Sequence, residues 1–226
     1  MSYSIQHIAG IINSKSTVSS EASIEFLLTD SRKVIFPETS LFFALPGPRR
    51  DGHSYIGDLY KKGVRLFIVS QKIDNSKYPE ATFLQVPDTL MALQQLTAHH
   101  RKQFSIPVIG ITGSNGKTIV KEWLNQLLED DYRIIRSPKS YNSQIGVPLS
   151  VWPLNASHEL GIFEAGISQS GEMERLQRII LPTIGIFTNI GEAHSENFLN
   201  ERQKVNEKLR LFTGIETLIY CKDYPV

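Results

Sequence analysis

The sequence predicts an α/β protein in two parts: a small N-terminal α/β domain and, after it, a doubly wound parallel-sheet domain. Short apolar runs alternate with helical patterns along most of the chain, which is typical of the α/β class. After Ser105-Ile106-Pro107 the strands recur every roughly 25–30 residues with helices between them, the spacing of a doubly wound parallel sheet. We therefore predict one domain over residues 1–104 and a second over residues 105–226.

In the first domain, four apolar runs predict strands at Ile24–Thr29, Leu41–Leu45, Leu66–Val69 and Thr82–Val86. The pattern of Tyr55–Lys62 predicts a helix that stops at Gly63, because glycine favours the position just past a helix end. A longer helix is predicted to begin after Asp88, its N-cap, and to run to about Phe104. Its apolar face is formed by Leu90, Leu93, Leu96 and His100.

In the second domain, the predicted strands are Val108–Thr112, Arg133–Arg136, Gly161–Ala165, Ile184–Thr188 and Thr217–Cys221. Helical patterns lie between them at Lys117–Glu129, Ile145–Trp152, Glu172–Ile180 and Glu201–Phe212. The first of these helices is predicted to turn inward Val120, Trp123, Leu124, Leu127 and Leu128. Both Trp123 and Trp152 sit in apolar patterns, so we expect them in the core.

Composition and charge exclude several classes of protein. The 226 residues carry 24 Lys and Arg against 23 Asp and Glu, and a net charge of +1 lacks the basic excess of a nucleic-acid-binding protein. Cys221 has no second cysteine to pair with, which favours a reducing compartment. No apolar run approaches the ~20 residues that span a bilayer, and the start of the chain lacks a signal-peptide pattern. We expect a cytoplasmic protein with no nucleic-acid and no membrane partner.

The strongest local signal is a glycine-rich turn between a strand and a helix, Val108-Ile-Gly-Ile-Thr-Gly-Ser-Asn-Gly-Lys-Thr118. Such a turn directs backbone N–H groups and a helix N-terminus at one point, which suits an anion. Lys117 can neutralise outer phosphates and the Thr118 hydroxyl can bind Mg²⁺, so we predict a nucleoside triphosphate site. The strict phosphate-loop pattern needs a glycine where Ile111 stands. The alternative is a tight turn with an exposed lysine.

Two polar residues follow neighbouring predicted strands of the same sheet. Glu164 ends the strand Gly161–Ala165, and Asn189 follows Ile184–Thr188. Because the carboxyl ends of parallel strands share one edge, both should lie near the glycine-rich turn. A carboxylate there is a hard oxygen ligand for magnesium, with Thr118 beside it. The alternative for Glu164 is an exposed carboxylate at a strand end.

Several segments resemble the Mur ligases, ATP-dependent enzymes that build the peptidoglycan stem peptide. The similar segments are Thr29-Asp-Ser-Arg32, Ser40-Leu-Phe-Phe-Ala-Leu45, Asp51-Gly-His53, Thr112-Gly-Ser-Asn-Gly-Lys-Thr118, Asn142-Ser-Gln-Ile-Gly-Val-Pro148, Phe163-Glu-Ala-Gly166 and Thr188-Asn-Ile-Gly-Glu-Ala-His194. The resemblance implies ATP and Mg²⁺, and a substrate carboxylate that becomes an acyl phosphate before an amine displaces phosphate. It also implies a UDP-binding N-terminal domain and an ATP-binding central domain.

The Asp-Gly-His and Asn-x-x-Ile-Gly-Val-Pro forms look most like members that join D-alanyl-D-alanine to UDP-N-acetylmuramoyl-tripeptide. One alternative is a relative with another amine, such as the diaminopimelate- or lysine-adding ligase. Another is folylpolyglutamate synthase, which the UDP-type front segments argue against. A nucleotide- or substrate-binding module without catalysis is the alternative of a different class.

The resemblance also implies a set of site residues. The nucleotide-binding residues are Gly113, Ser114, Asn115, Gly116, Lys117, Thr118 and Asn189. The metal ligands are Thr118, Glu164, His194 and Lys208, and the catalytic residues are Lys117, His194 and Lys208. The substrate-binding residues are Ser31, Arg32, Asp51, Gly52, His53 and Asn142.

Some of these assignments leave alternatives open. The family carries a lysine that carbon dioxide carbamylates, and Lys204 and Lys208 both fit, one helical turn apart. We choose Lys208 for its Lys-Leu-Arg-Leu-Phe context, against a solvated helical lysine. His194 could also be a surface-loop histidine, Asp30-Ser-Arg32 a capped turn, and Asp51-Gly-His53 a loop that needs Gly52 for its backbone.

The family's central domain extends beyond the length of this sequence, and a C-terminal domain follows it. We therefore expect a fragment that is weakly active or inactive by itself. Some members resemble the front half of a fusion with alanine racemase, and the resemblance leaves such a C-terminal fusion open.

Overall fold

A computed structural model describes residues 2–16, 18, 20, 22–47, 50–191 and 197–223. The chain divides into two compact units, Met1–Leu96 and Thr97–Val226. Helix α3 (Thr89–Arg101) crosses this division, so the change of unit falls within a helix. Within the described ranges, no helix is long and apolar enough to cross a membrane. The predicted α/β class with parallel sheets is confirmed.

The first unit is built on four parallel strands in the order β3-β4-β5-β6. Its elements are β1 (Tyr3–Ser4), α1 (Ile5–Ile11), β2 (Ser23–Ile24), β3 (Phe26–Leu28), β4 (Ser40–Phe43), α2 (Ile56–Lys61), β5 (Leu66–Val69), β6 (Thr82–Gln85) and the start of α3. Strands β4 and β5 are buried along their whole length, which explains their continuous apolar runs. The carboxyl ends of β3, β4 and β5 share one edge, because all three run parallel.

Two features of the first unit differ from the sequence prediction. The predicted strand Ile24–Thr29 is divided into β2, which pairs antiparallel with β1, and β3, which joins the parallel sheet. Helix α1, of 7 residues, was not predicted. It forms because Ser4 Oγ accepts a hydrogen bond from the backbone N–H of His7 and because Ile5, Ile8 and Ala9 are buried.

The second unit contains a five-stranded parallel sheet among its described residues, in the order β11-β10-β7-β9-β8. Its elements are β7 (Val108–Thr112), α4 (Lys117–Leu128), β8 (Ile134–Arg136), α5 (Gly146–Val151), β9 (Leu160–Glu164), α6 (Glu172–Ile180), β10 (Ile184–Phe187), α7 (Glu201–Leu209) and β11 (Thr217–Tyr220). After β7 the chain builds β8 and β9 on one side, then β10 and β11 on the other. The point where the order reverses is therefore at β7, which is where open α/β sheets bind ligands.

Helices cover both faces of this sheet, as a doubly wound fold requires. On one face, Ile109, Ile111 and Ile162 pack in a cluster with Val120, Leu124 and Leu128 of α4. On the other face the cluster contains residues of α5 and α6, together with Phe163 and Phe212. Because side chains alternate along a strand, Glu164 of β9 lies on the α4 face.

The predicted inward face of α4 is partly wrong. Trp123 and Leu127 are 63% and 75% exposed, whereas Lys121 and Asn125 are buried. The buried face of α4 therefore differs from the purely apolar face that the sequence predicts. Burial of Lys121 is tolerated because its ammonium has polar partners inside the unit. The second expected core tryptophan, Trp152, is buried, which confirms that prediction.

Candidate functional site

The turn after β7 has a backbone that requires glycine at two positions. Gly113 has φ 147°, and a Cβ added there would lie 2.0 Å from Thr188 Oγ1. Gly116 has φ 81° and is the N-cap of α4. No side chain of the described residues caps this helix end, so its first-turn N–H groups are directed into the turn. This geometry suits an anion such as a phosphate.

The segment after β10 holds the turn in place. The backbone N–H of Ser114 donates to the Asn189 carbonyl, and that of Asn115 donates to Asn189 Oδ1, both at 2.9 Å. Thr188 Oγ1 donates to the Asn115 carbonyl at 2.6 Å. The Ser114 hydroxyl donates to the Gly191 carbonyl at 3.1 Å. The structure thus brings Asn189 to the turn, as its position at a strand end predicts, and shows it bracing the loop backbone.

The ammonium groups of three lysines donate hydrogen bonds to backbone carbonyl oxygens of this site. Lys117 Nζ donates to the Gly113 carbonyl at 2.8 Å, and Lys208 Nζ donates to the same oxygen at 3.1 Å. Lys204 Nζ donates to the Gly191 carbonyl. Burial lowers the pKa of Lys117, with Glu164 opposing the shift. Burial, together with the positive charges of Lys117 and Lys204, lowers the pKa of Lys208 to about 8.

Glu164 lies beside the phosphate-loop threonine, and its carboxylate is fully buried. Thr118 Oγ1 donates to Glu164 Oε2 at 3.0 Å. Glu164 Oε1 lies 3.0 Å from Lys121 Nζ but accepts no hydrogen bond from the described residues. A carboxylate and a hydroxyl next to an anion-binding turn are the hard oxygen ligands that Mg²⁺ accepts along with water and phosphate. Among the described residues no group of three or more His, Cys, Asp or Glu gathers, so a cation here would need such further ligands.

The segment that contains Asn142 reaches the same edge. The Gly166 backbone N–H donates to the Asn142 carbonyl at 2.8 Å, and a Cβ on Gly166 would lie 3.0 Å from Asn142 Oδ1. The side chain of Asn142 therefore lies against the chain that continues from Glu164. The structure brings this predicted residue to Gly166, two residues beyond the predicted magnesium ligand.

His194 falls outside the described residues, so its predicted metal role stays a prediction. The helix that follows, α7, is described, and Glu207 fixes it in place. Glu207 is buried and accepts hydrogen bonds from the backbone N–H groups of Gly171, at 2.7 Å, and Met173, at 3.2 Å. It thereby supplies acceptors to the start of α6 and holds α7, the helix that carries Lys208, against that helix end.

The predicted substrate residues of the first unit form a second cluster. At the end of β3, Arg32 Nε and Nη2 donate to the two carboxylate oxygens of Asp30 at 2.9 and 2.7 Å. The Arg32 hydrogen bonds lower the pKa of Asp30 to about 2. The Ser31 carbonyl accepts a hydrogen bond from Lys62 Nζ at 2.9 Å. This is the capped turn that the sequence left as an alternative, with an exposed guanidinium on its surface.

Asp51, Gly52 and His53 are engaged with the protein itself. The backbone N–H of Ser70, just past β5, donates to His53 Nε2 at 3.0 Å, so the other ring nitrogen carries the proton. That Nδ1–H faces Asp51 Oδ1 at 2.6 Å. Hydrogen bonds from His53, first from its backbone N–H, lower the pKa of Asp51. A Cβ on Gly52 would lie 2.6 Å from the Leu45 nitrogen, so this position requires glycine.

Sequence reasoning missed Lys121, a buried cation that contacts Glu164. The signal was available, because Lys121 follows Lys117 by four residues and so lies on the same face of α4. The apolar residues Trp123 and Leu127 predicted a different buried face, and both are exposed.

Comparison with known proteins agrees with this architecture. Residues 23–101 match the Mur ligase family catalytic domain, and residues 111–226 match the Mur ligase middle domain. The chain is 36% identical over 207 residues to the UDP-N-acetylmuramoyl-tripeptide–D-alanyl-D-alanine ligase of Bacillus subtilis, covering 90% of this chain and 44% of the relative. The enzyme of that name from Treponema pallidum is 36% identical over 192 residues, covering 81% of this chain and 41% of the relative.

Solved structures show the same likeness. MurF from Acinetobacter baumannii superposes with a TM-score of 0.88 at 28% identity, covering 99% of this chain and 49% of that one. MurF from Thermotoga maritima, in complex with ADP, gives 0.78 at 27% identity, covering 88% and 46%. The chain thus spans less than half the length of the relatives it matches. Because the middle-domain match covers half of its residues, and the phosphate turn and acidic strand end lie within that match, the chain belongs to the Mur ligase family.

Proposed function

We propose that this chain is the UDP-substrate and ATP-binding portion of a ligase that joins D-alanyl-D-alanine to UDP-N-acetylmuramoyl-tripeptide. The observation that carries the proposal is the turn Gly113–Thr118, with the Thr118–Glu164 pair beside it at the reversal point of the sheet. The printed names of the relatives support the choice of substrates. The ADP complex of the Thermotoga maritima relative supports the choice of nucleotide.

In this proposal the turn and its lysine hold the phosphates of ATP. The first-turn N–H groups of α4 and the Lys117 ammonium face the β- and γ-phosphates, and the ammonium leaves its carbonyl partners to do so. Thr118 and Glu164 hold Mg²⁺, which neutralises phosphate charge when bound. A substrate carboxylate oxygen then attacks the γ-phosphorus, ADP leaves, and an acyl phosphate forms. The neutral amine of D-alanyl-D-alanine next attacks the acyl carbon, phosphate leaves, and the nitrogen loses one proton to solvent as the amide forms.

Lys208 is proposed to become a carbamate. A neutral lysine amine attacks carbon dioxide, the N–C bond forms, and one proton is lost to solvent, which leaves a carboxylate-like group. The pKa of the Lys208 amine is about 8, so near pH 7 a larger fraction of this amine is neutral than in an exposed lysine. The resulting anion would lie among the Lys117 and Lys204 ammonium groups and would provide oxygen ligands for a second Mg²⁺.

The first unit is proposed to bind the UDP end of the substrate. Ser31 and Arg32 lie at the end of β3, and a guanidinium fork suits phosphate oxygens. His53 and Asp51 hold each other and Ser70, so we propose that this trio shapes the neighbouring surface. Asn142 is proposed to position substrate or γ-phosphate beside Glu164.

The test of the nucleotide site is a titration of this chain with MgADP and MgATP. We expect the Lys117→Ala substitution to abolish binding, because it removes the cation at the outer phosphates, and Lys102→Ala, an exposed lysine, to leave binding unchanged. Unchanged affinity in Lys117→Ala would contradict the phosphate-loop assignment.

The choice of amine needs a protein of the relatives' full length that includes this chain. ADP release from MgATP with UDP-N-acetylmuramoyl-tripeptide should depend on D-alanyl-D-alanine. Turnover with diaminopimelate instead would favour the other ligase type. Tight nucleotide binding without ADP release for any substrate set would favour a binding module.

A further inference from the structure

Lys121 is a cation enclosed inside the second unit, on the second turn of α4. Its side chain is 0% exposed. Nζ donates to the carbonyl of Ser137 at 2.8 Å and to the carbonyl of Lys139. It also lies 3.0 Å from Glu164 Oε1 and 2.9 Å from Glu122 Oε1. The first three partners belong to chain segments other than α4, so this one ammonium joins three parts of the unit.

The surroundings of Lys121 also hold the backbone of Glu164. Ser137, whose carbonyl accepts from Lys121, accepts with its Oγ a hydrogen bond from the Glu164 backbone N–H at 3.1 Å. The Ser137 backbone N–H donates to the Ile162 carbonyl at 3.1 Å, which extends the pairing of β8 with β9. Both the main chain and one carboxylate oxygen of Glu164 are therefore constrained through the Lys121 site, while Thr118 contacts the other oxygen.

The ammonium of Lys121 and the carboxylate of Glu164 form an ion pair in which both side chains are fully buried. Glu164 is buried without a hydrogen bond to Oε1 from the described residues, and the ammonium of Lys121 lies in direct contact with this oxygen. Burying such a pair rarely gains stability over apolar side chains of the same volume, but leaving one member alone is costly. A buried lysine here thus points to a requirement for an oriented carboxylate and not to a requirement of the fold.

We propose that Lys121 is a positioning residue, which holds the Glu164 carboxylate directed at Thr118 before any divalent cation arrives. Its carbonyl partners on the segment after β8 keep the ammonium from following the carboxylate. The role of Glu164 as a magnesium ligand rests on the proposed function; the pairing of Lys121 with Glu164 does not.

The first arm of the test measures thermal unfolding of the whole chain without divalent cations. Lys121→Met keeps an unbranched apolar side chain but removes the ion pair with Glu164, and we expect the melting temperature to fall by about 10 °C. The double variant Lys121→Met with Glu164→Gln removes the uncompensated charge and should melt above the single variant. A lysine that stabilises the unit only through its carbonyl partners would show no such rescue, so a double variant that melts as low as Lys121→Met, or fails to fold, overturns the proposal.

The matched control is Glu122→Gln, which removes a carboxylate from the same ammonium. Glu122 is 38% exposed and also pairs with the exposed Arg136, so we expect a shift of no more than about 2 °C. A loss as large as that of Lys121→Met would mean that any partner of Lys121 matters equally, which would overturn a specific role toward Glu164.

The second arm adds Mg²⁺ to the same variants. If Glu164 is a magnesium ligand, Mg²⁺ should raise the melting temperature of Lys121→Met more than that of the parent, because it replaces the missing cation. It should not do so for the double variant. Rescue by Glu164→Gln without any response to Mg²⁺ would support the role of Lys121 and overturn the magnesium assignment of Glu164.

Discussion

Replacing Lys208 by Met should stabilise the protein near neutral pH, in buffer free of carbon dioxide and Mg²⁺. Lys208 is 4% exposed, and its pKa is about 8 instead of the ordinary 10.5. In the folded state the proton is therefore held less tightly than in the unfolded state. The charged lysine destabilises the fold fully below pH about 8, and the penalty disappears as the pH rises from about 8 to about 10.5.

The size of the effect follows from these two pKa values. At pH 7 the penalty is about 3 kcal/mol, since each pKa unit corresponds to about 1.4 kcal/mol. The lost hydrogen bond from Nζ to the Gly113 carbonyl offsets about 1 kcal/mol of it. We expect Lys208→Met to raise the free energy of unfolding by about 2 kcal/mol at pH 7. At pH 9.5 this advantage should have shrunk by about 2 kcal/mol.

The assay is urea unfolding of both proteins at pH 7 and pH 9.5, followed by circular dichroism. Lys102→Met, at an exposed position, serves as the control and should change neither value appreciably. A difference between Lys208→Met and the parent that is the same at both pH values would refute the reasoning. So would a loss of stability at pH 7, because the lysine would then be a net stabilising group in its charged form.

Two further predictions concern the phosphate turn and the end of β3. Gly113→Ala should lower the free energy of unfolding by about 1–3 kcal/mol and weaken MgADP binding, because its Cβ would meet Thr188 Oγ1 at 2.0 Å at φ 147°. Gly10→Ala, in helix α1 with nothing within 4 Å of the added Cβ, should be neutral or stabilising in the same unfolding assay. Asp30 has a folded pKa of about 2 because of Arg32, so its stabilising contribution should be lost as the pH falls from about 4 to about 2. Asp30→Asn should flatten that part of the stability curve measured by urea unfolding, and an unchanged slope would contradict the Arg32 effect.

Much of the second unit was predictable because its signals are local. Three features follow each other directly in sequence: the buried strand β7, the two glycines of the turn and the start of α4 at Lys117. Each of them depends on the backbone conformation of its own few residues. The orientation of α4 was not predictable in the same way. An apolar pattern indicates which side chains can be buried, but Trp123 is exposed and Lys121 buried because distant carbonyls and a carboxylate supply partners for an ammonium.

In the first unit, too, the sequence did not predict which side chains contact each other. Arg32 and His53 were assigned to substrate binding from the family resemblance, and the structure places Arg32 after β3 and His53 in the short helical turn Gly52–Tyr55. It also shows what they contact. Arg32 pairs with a carboxylate two residues away, which a turn sequence can suggest, whereas His53 pairs with Ser70, which becomes its neighbour only when β4 and β5 align.

The sequence by itself determined the α/β class, the glycine-dependent phosphate turn and the likeness to Mur ligases, because apolar periodicity and backbone demands act within a few residues. Only the tertiary structure decided which groups meet. Thr118 contacts Glu164 across the neighbouring strands β7 and β9, and Lys208 reaches the Gly113 carbonyl from a helix that begins after β10. These contacts depend on the strand order β11-β10-β7-β9-β8, which long-range pairing sets and no local pattern encodes. The same long-range packing placed a buried lysine behind the carboxylate at the edge of the sheet.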